Sequence, residues 1–318
     1  MKYNRTDILH QAAKSGWVAD VHEKAIRLLL FLELIQKHPF LQGKLLLKGG
    51  TALNLFYLET PRLSVDIDAN FIGSVDVKDL QVQRPEIERA VTAIANSEDY
   101  SVSYSADTHA GRKLYLQYTN ISGARDRIEI DINYMFRIPL SEPEKISSKY
   151  LSGFNITFPL VGWNELMAGK LLAAIDRVAP RDIYDLAKAY ARINLNDSLF
   201  RATCIGLSAI LPHPLYTYDL KRFDKADKKS MEIKLLPFLR EDTNIDYDNI
   251  RSKAASLLSW LLGLNKRERQ YISEIAKGQV KPELLLPEDQ AFCNSLKQHP
   301  AVLWKIQNVR KHIDGHEK

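Results

Sequence analysis

Cysteine is scarce in this sequence. The 318 residues include two cysteines, Cys204 and Cys293, which lie far apart and form no Cys-x-x-Cys pair. This pattern fits neither a disulfide framework nor a zinc site built from paired cysteines. We expect two reduced, buried thiols, as is usual in a cytoplasmic protein.

Long hydrophobic runs are also absent. The longest apolar stretch, residues 28–35, is interrupted by Glu33 and is too short to cross a bilayer. Residues 1–7 have no apolar core ahead of a small-residue cleavage site, so we predict no signal peptide. These absences predict a soluble, cytoplasmic protein with no membrane contact.

The charge of the chain has no dominant sign. There are 44 lysines and arginines against 39 acidic residues, which gives a formal net charge of +5. This mild excess permits a nucleic-acid partner but does not require one. With 45% hydrophobic residues, the chain is long enough for one large domain or two ordinary ones.

The apolar pattern predicts two kinds of structure along the chain. In the first part it predicts helices at residues 18–38, 51–57 and 85–95 and strands at residues 45–47, 63–72, 100–105, 113–119 and 127–133. Later it predicts helices at residues 163–177, 181–192, 199–211, 250–264, 266–277, 288–298 and 301–311. We therefore expect an α+β (mixed α/β) sheet domain with helices in residues 1–195, followed by an α-helical C-terminal domain in residues 196–318.

A glycine pair lies between the first predicted strand and the helix that follows it. Lys48, Gly49, Gly50 and Thr51 form this corner. Glycines let backbone amides approach an anion, and the first N–H groups of a helix are unpaired, so the corner can hold a phosphate. The alternative is an ordinary tight turn. No Gly-Lys-Ser/Thr follows, which disfavours a P-loop ATPase.

Two aspartates, Asp66 and Asp68, alternate with apolar residues on a predicted strand, so both side chains share one face. Two ionised carboxylates this close repel each other unless a cation or water screens them. Mg²⁺ prefers oxygen ligands and often bridges carboxylates to substrate phosphates. The alternative is a solvated strand face.

A third acidic position occurs on the last predicted strand, where Glu129 and Asp131 also share a face. If this strand lies next to Asp66 and Asp68, it would complete a site for two metal ions. Simple alternation on a half-exposed strand explains this segment equally well.

Lys170 and Arg177 are seven residues apart on a predicted helix and therefore share a face. Arg181, Asp182 and Asp185 follow. A lysine and an arginine directed at one pocket suit the charge of a triphosphate. The spacing alone favours the interpretation that these residues form a solvated, salt-bridged helix face.

Taken together, these segments resemble the AbiEii/AbiGii-type nucleotidyltransferase family, whose members are toxins of bacterial abortive-infection (antiviral defence) and toxin–antitoxin systems. The matching motifs are Lys48-Gly49-Gly50-Thr51, Arg62-x-Ser64-x-Asp66-x-Asp68 and Lys170-x₆-Arg177-x₃-Arg181-Asp182-x₂-Asp185-Leu186. The resemblance covers about residues 45–190, and residues 282–285 and 299–305 also resemble the helical C-terminal part of the family. Thr51 stands where the wider superfamily has serine, and its distance from Asp66 is longer, as in the toxin branch.

The resemblance implies a DNA polymerase β-like nucleotidyltransferase fold with an added helical domain. It implies Mg²⁺-dependent transfer of a nucleotide from an NTP to an acceptor, with Mn²⁺ as an alternative metal. In studied relatives the acceptor is the 3′ end of tRNA, and the transfer blocks translation. It also implies a cognate antitoxin encoded nearby.

The family pattern assigns roles to positions in this sequence. Asp66 and Asp68 would bind metal, and Asp131, with Glu129 in reserve, would be the third carboxylate. Lys170 would contact the nucleotide, supported by Asp185 or Asp182. The other positions expected to contact the nucleotide are Lys48, Gly49, Gly50, Thr51, Ser64, Arg177 and Arg181.

Two other functions stay open at this point. The same fold can transfer nucleotide or phosphate to a protein or a small molecule, or it can be a catalytically silent NTP-binding module. Asp66 and Asp68 argue against silence, because an unused pair would keep its repulsion for no gain. An RNA clamp in the C-terminal part is a further option, but its basic residues are interleaved with acids, which favours an ordinary solvated surface.

Overall fold

The computed structural model describes residues 4–59, 62–108, 110–150 and 156–316. The chain divides into two compact units. Unit 1 comprises Met1–Arg137, Pro143–Val161 and Leu235–Ile245, and unit 2 comprises Ile138–Glu142, Gly162–Lys234 and Asp246–Lys318. The domain boundary at residue 195 stays a prediction, because compactness does not show which segment folds or acts independently.

Unit 1 combines one sheet with helices. Its helices are α1 (Arg5–Ser15), α2 (Ala19–Lys37), α3 (Gly49–Ala52), continued by a π-helical turn (Leu53–Tyr57), and α4 (Val77–Ser97), and a 3₁₀ turn spans Leu236–Phe238. Its strands are β1 (Leu45–Lys48), β2 (Ile67–Phe71), β3 (Ser101–Tyr104), β4 (Gly111–Thr119), β5 (Arg125–Asn133), β6 (Glu144–Ser147) and β7 (Thr157–Leu160).

The seven strands in the described part of the chain form one sheet in the order β3-β4-β5-β2-β1-β7-β6. The β2–β5 and β1–β7 pairs are parallel and the other neighbours are antiparallel. This mixed sheet with its helices confirms the predicted fold class.

The two faces of the sheet have different surroundings. Leu114 and Leu116 of β4 and Ile128 and Ile130 of β5 are almost completely buried, whereas the residues between them are half-buried or exposed. α4 lies on the apolar side, where Arg112 of β4 pairs with its Glu88 at 3.2 Å, and α2 lies there too, with Arg27 over the Tyr118 ring. The helices therefore bury the face whose residues are apolar in the sequence, and the opposite face carries the polar residues.

The strand predicted at residues 63–72 is shorter than expected, because β2 begins at Ile67. The preceding residues pair elsewhere: the Leu63 N–H donates to the Phe238 carbonyl at 2.9 Å, and Arg62 forms an antiparallel bridge with Leu239. Burial nevertheless alternates from Ser64 to Ala69, as predicted. The backbone before β2 is therefore held by a segment far along the chain.

Other boundaries also differ from the predictions. α4 begins at Val77, not at residue 85, because Asp76 caps it by accepting from two backbone N–H groups, and Pro85 lies inside the helix. The sequence pattern does not predict α1, β6 or β7. The two missed strands have four residues each, which is too short for an alternation to be recognised.

Unit 2 is helical, as predicted for this part of the chain. Its α-helices are α5 (Trp163–Arg177), α6 (Pro180–Ala189), α7 (Ser198–Leu207), α8 (Lys228–Lys234), α9 (Tyr247–Leu262), α10 (Lys266–Ala276), α11 (Gln290–Gln298) and α12 (Pro300–His316). Its 3₁₀ turns are Tyr190–Arg192, Ser208–Ile210, Leu215–Thr217, Leu220–Lys225 and Pro282–Leu284. Asn265 and Glu268 form a complete capping box at the start of α10. Among the described residues, we find no helix with both the length and the apolar character needed to span a bilayer.

His22 of α2 is a buried titratable group in unit 1. Its side chain is 1% exposed, and its Nδ1 atom lies 2.7 Å from the Tyr150 hydroxyl. Burial lowers the pKa of His22 to about 4, because the charged imidazolium is poorly solvated there.

We predict that acid destabilises the protein through His22. The unfolded chain protonates this residue near pH 6.5 and the folded chain only near pH 4, so stability present above pH 6.5 is lost as the pH falls towards 4. Between pH 7 and pH 4.5 the loss amounts to about 2–3 kcal/mol of unfolding free energy. Urea titrations should show this loss in the wild type and in exposed-site His10→Gln, but not in His22→Gln. Equal pH dependence in all three proteins would contradict the prediction.

Candidate functional site

The glycine corner between β1 and α3 brings the backbone close to an aspartate. Gly49 has φ +70°, in the left-handed region that favours glycine. A Cβ atom at this position would overlap Oδ2 of Asp68. Glycine is therefore needed here both for the backbone conformation and for the approach of the carboxylate.

Gly50 meets two polar side chains in the same corner. An added Cβ would lie 2.7 Å from Oγ of Ser64 and 2.9 Å from Nη2 of Arg62. Arg62 is 2% exposed and donates from Nη1 to the Leu63 carbonyl at 3.2 Å. A buried guanidinium thus lies beside the position where we predict a phosphate. The sequence motif contained Arg62, but its burial could not be seen in the pattern.

Thr51 and Asn54 hold the corner in place. The Thr51 hydroxyl donates to the carbonyl of Asp66, which joins the start of α3 to the segment before β2. Asn54 Nδ2 donates to the Gly50 carbonyl at 2.8 Å. A hydrogen bond from a side chain to the backbone therefore joins the glycine corner to the first aspartate of the Asp-x-Asp motif.

Four charged residues form one row across the polar face of the sheet. The strand register pairs Lys48 of β1 with Asp68 of β2, Asp68 with Asp131 of β5, and Asp131 with Lys113 of β4. Residues paired in this way point to the same face, on strands about 5 Å apart. The register therefore puts Asp131, and not Glu129, beside Asp68.

Lys113 is the member of the row that the sequence analysis missed. Its Nζ atom pairs with Glu129 and lies 3.7 Å from Oδ2 of Asp131. The hydrogen bond to Glu129 raises the pKa of Lys113 against the opposing effect of burial, and the charges of Glu129 and, to a lesser degree, Asp131 add to the rise. In the sequence, the one signal was that Lys113 is a charged residue at the start of a predicted strand. That position did not show which acidic residue lies next to it on the adjacent strand.

The donor set of this face suits a hard divalent cation. Asp68 Oδ2 lies at the glycine corner, and Asp131 is the register partner of Asp68 on the next strand. Among the residues that the structure describes, no group of three or more His, Cys, Asp or Glu side chains is arranged to hold a metal ion. Mg²⁺ commonly uses one or two carboxylates and completes its shell with water and substrate phosphates. The residues thus fit a cation that arrives with a phosphate substrate, and the assignment of individual ligands stays a prediction.

Unit 2 contains a second charged cluster, between α5 and α6. The Lys170 ammonium donates to Oδ2 of Asp185 at 2.7 Å and to Oδ1 of Asp182 at 3.2 Å. The Arg177 guanidinium donates to Oδ2 of Asp182 at 2.6 Å. Burial alone would raise the pKa of Asp182, but Lys170 and Arg177 outweigh it and lower that pKa below its usual value.

The favoured interpretation, a solvated and salt-bridged helix face, is right about the salt bridges and wrong about the solvation of most of the cluster. Lys170 is 8% exposed, and Asp182 and Asp185 are 1% exposed. Arg177 and Arg181 are at the more exposed end of the cluster. Spacing correctly placed the residues on one face, but it did not show that α6 covers that face. The helix turn after Val178, with Pro180 as the first residue of α6, brings the two aspartates back against α5.

The chain and the structure were compared with known proteins. The sequence model of the family described as "Nucleotidyl transferase AbiEii toxin, Type IV TA system" matches residues 33–253. The fold is similar to that of MenT4, the nucleotidyltransferase toxin Rv2826c from Mycobacterium tuberculosis H37Rv, with a TM-score of 0.59 and 17% sequence identity over 95% of this chain and 99% of that chain. No curated protein matches the sequence.

We predict that Gly49→Ala is more damaging than Gly43→Ala. Both glycines have positive φ, +70° and +74°, but a Cβ atom at Gly43 meets nothing within 4 Å. Gly43→Ala should therefore cost only backbone strain, about 1 kcal/mol. Gly49→Ala should lower the unfolding free energy by about 2 kcal/mol more, because Asp68 must move. Equal losses in urea titrations would show that the close approach does not exist.

We also predict that Lys170→Met destabilises the protein by about 3–5 kcal/mol, because it removes the ammonium that is paired with both buried carboxylates. Lys170→Met with Asp185→Asn should recover part of the loss, since one buried charge is then removed. The exposed Lys188→Met on α6 is the matched control and should change stability little. Thermal and urea unfolding measure the effects, and a double variant no more stable than Lys170→Met would refute the explanation.

Proposed function

The chain belongs to the AbiEii family of nucleotidyltransferase toxins of type IV toxin–antitoxin systems, and we propose that its acceptor is RNA, namely the 3′ end of tRNA. Membership in the family makes the protein a nucleotidyltransferase with an NTP substrate and an antitoxin partner. The proposal adds the acceptor, Mg²⁺ as the metal (Mn²⁺ as its substitute), and a block of translation as the outcome.

One observation supports the metal-dependent transfer in this proposal: Asp68 and Asp131 are register partners on adjacent strands, and Asp68 lies against the glycine corner. The RNA acceptor is proposed from the resemblance to the family. In the proposed complex, the backbone N–H groups of Gly50 and Thr51 would bind phosphate oxygens. The Arg62 guanidinium lies next to Gly50 and would add positive charge. When bound, Mg²⁺ would supply charge neutralisation between the carboxylates and the triphosphate. Asp66, Asp68 and Asp131 would hold it.

The proposed reaction is an in-line displacement. The 3′-hydroxyl of the acceptor gives its proton to Asp131, and its oxygen attacks the α-phosphorus of the NTP. A new bond from the 3′-oxygen to phosphorus forms, the bond to the β-phosphate oxygen breaks, and pyrophosphate leaves. Lys48 and Ser64 border the corner and are proposed to orient the phosphates.

The cluster of unit 2 keeps its predicted role in nucleotide binding. An ammonium group has three hydrogen-bond donors, and Asp182 and Asp185 take two of those of Lys170. We propose that the third binds a phosphate oxygen. Arg177 and Arg181, at the exposed end of the cluster, are proposed to offset triphosphate charge.

Cellular context belongs to the proposal as well. We propose that the protein works in the cytoplasm, where tRNA and NTPs are found, and that it serves abortive infection, a form of antiviral defence. Its cognate antitoxin would be a protein or transcriptional regulator encoded nearby.

We predict that the protein transfers label from one α-³²P-labelled NTP to RNA in the presence of Mg²⁺, and that Asp68→Asn and Asp131→Asn each reduce the rate by about a hundredfold or more, because metal ligation and proton acceptance are lost. Asp126→Asn is the matched control. Asp126 is also on β5, but it pairs with Lys24 of α2 on the helix-covered side. Incubating each protein with total RNA and each NTP, then separating RNA and protein on gels, measures the transfer.

The outcomes of this assay separate the candidate acceptors. Transfer undiminished in Asp68→Asn would overturn the site. Label on protein, or on an added small molecule, without label on RNA would select that acceptor instead. Tight NTP binding without transfer to any acceptor would indicate a silent binding module.

A further inference from the structure

The polar face of the sheet continues beyond the charged row, away from the glycine corner. On β5, Glu129, Arg127 and Arg125 follow Asp131 at every second position, and β4 places Tyr115 and Gln117 beside the first two of them. Successive positions on one face are about 7 Å apart, so these residues lead roughly 20 Å away from Asp131. We name Tyr115, Gln117, Arg125 and Arg127 the acceptor face.

The charge of the sheet changes sign along this direction. The row at Asp131 contains two carboxylates, and Glu129 in the next row is paired with Lys113. Beyond Glu129, the described strand residues on this face include Arg125 and Arg127 and no acid. Both arginines are exposed, so this end of the face attracts anions.

An aromatic ring lies next to this positive charge. The Arg127 guanidinium is 4.5 Å from the centroid of the Tyr115 ring, and Tyr115 is half-buried. Around this pair are neutral hydrogen-bonding groups: Gln117 Nε2 donates to Oγ of Ser103 at 3.1 Å. A guanidinium stacked on an aromatic ring, with hydroxyl and amide groups nearby, suits a nucleobase, a phosphate and a 2′-hydroxyl.

A protein partner would require different chemistry. Protein interfaces also use tyrosine and arginine anchors, but they bury them in a desolvated centre that is mainly apolar. The exposed large hydrophobic residues of the described chain, such as Val77, Val82 and Trp304, all lie outside this face. The face therefore lacks apolar anchors and offers phosphate and base contacts in their place.

We propose that the acceptor face binds the single-stranded 3′ end of the acceptor RNA and guides its terminal hydroxyl to Asp131. Tyr115 stacks with a base near the end, and Arg127 and Arg125 contact the phosphates behind it. Single-stranded RNA is recognised in this way on other sheet surfaces, through aromatic stacking and basic side chains. This inference rests on the proposed function, because it takes the acceptor to be RNA.

The test compares two variants on the face with two controls outside it, all in the full chain. Arg127→Gln and Tyr115→Leu are matched by Arg89→Gln on α4 and by Tyr104→Leu on β3. Tyr104 carries the guanidinium of Arg112 over its ring at 4.4 Å, on the opposite side of the sheet, so it reproduces the same pairing away from the face. Urea titration of each variant shows whether it is folded.

Two quantities are measured. Fluorescence anisotropy gives the Kd of a labelled single-stranded oligonucleotide with the sequence of a tRNA 3′ end, without NTP, at several salt concentrations. Steady-state transfer gives the KM for tRNA and the KM for NTP. We expect Arg127→Gln to raise Kd and the KM for tRNA about fourfold at 0.15 M salt and to reduce the salt slope by about 0.7. Tyr115→Leu should raise both about tenfold, and the KM for NTP should not change.

Each outcome decides something. If the wild type transfers nucleotide to tRNA but the face variants match the controls, this inference is wrong and the proposed function stands. If the wild type binds RNA through these residues but transfers nothing to it, the face is an RNA site and the proposed function fails. If the oligonucleotide does not bind, or if the variants weaken only the labelling of a protein, the inference is overturned.

Discussion

Repulsion between carboxylates is the constraint on which the polar face of the sheet depends. Asp68 and Asp131 are register partners on adjacent parallel strands, and unscreened they would oppose the pairing of those strands. The row balances them with Lys48 on one side and Lys113 on the other. The neighbouring lysines reduce the repulsion between the two carboxylates. In the proposed function, a cation that arrives with the nucleotide would reduce it further.

The same rule governs the buried cluster of unit 2. Asp182 and Asp185 are almost completely buried, and each is paired with the Lys170 ammonium. Buried charges are tolerated when their partners are close and hydrogen-bonded. Both units thus hold carboxylates beside cations, and the residues proposed for function also contribute to the stability of the fold.

The two faces of the sheet have different roles: one packs in the core, and the other carries the residues proposed for function. Leu114, Leu116 and Ile128 pack beneath helices and supply apolar burial. The opposite face carries the acids, the lysines and the arginine–tyrosine pair. The polar face of this sheet contributes little to the hydrophobic core. It is therefore free to carry the proposed active site and, in our inference, the acceptor face that binds RNA.

Local chemistry in the sequence was sufficient for the fold class, the glycine corner, the alternating acids and the helical character of unit 2, because each depends on residues within about one element of each other. It was not sufficient for contacts that join distant segments. The pairing of Arg62 and Leu63 with residues 238–239 shortened β2. The register placed Asp131 beside Asp68 and Lys113 beside Asp131, and α6 buried Lys170. The residue types and their spacing were thus determined by the sequence alone, whereas neighbours and burial were decided by tertiary structure, since strand register and helix packing depend on the whole chain.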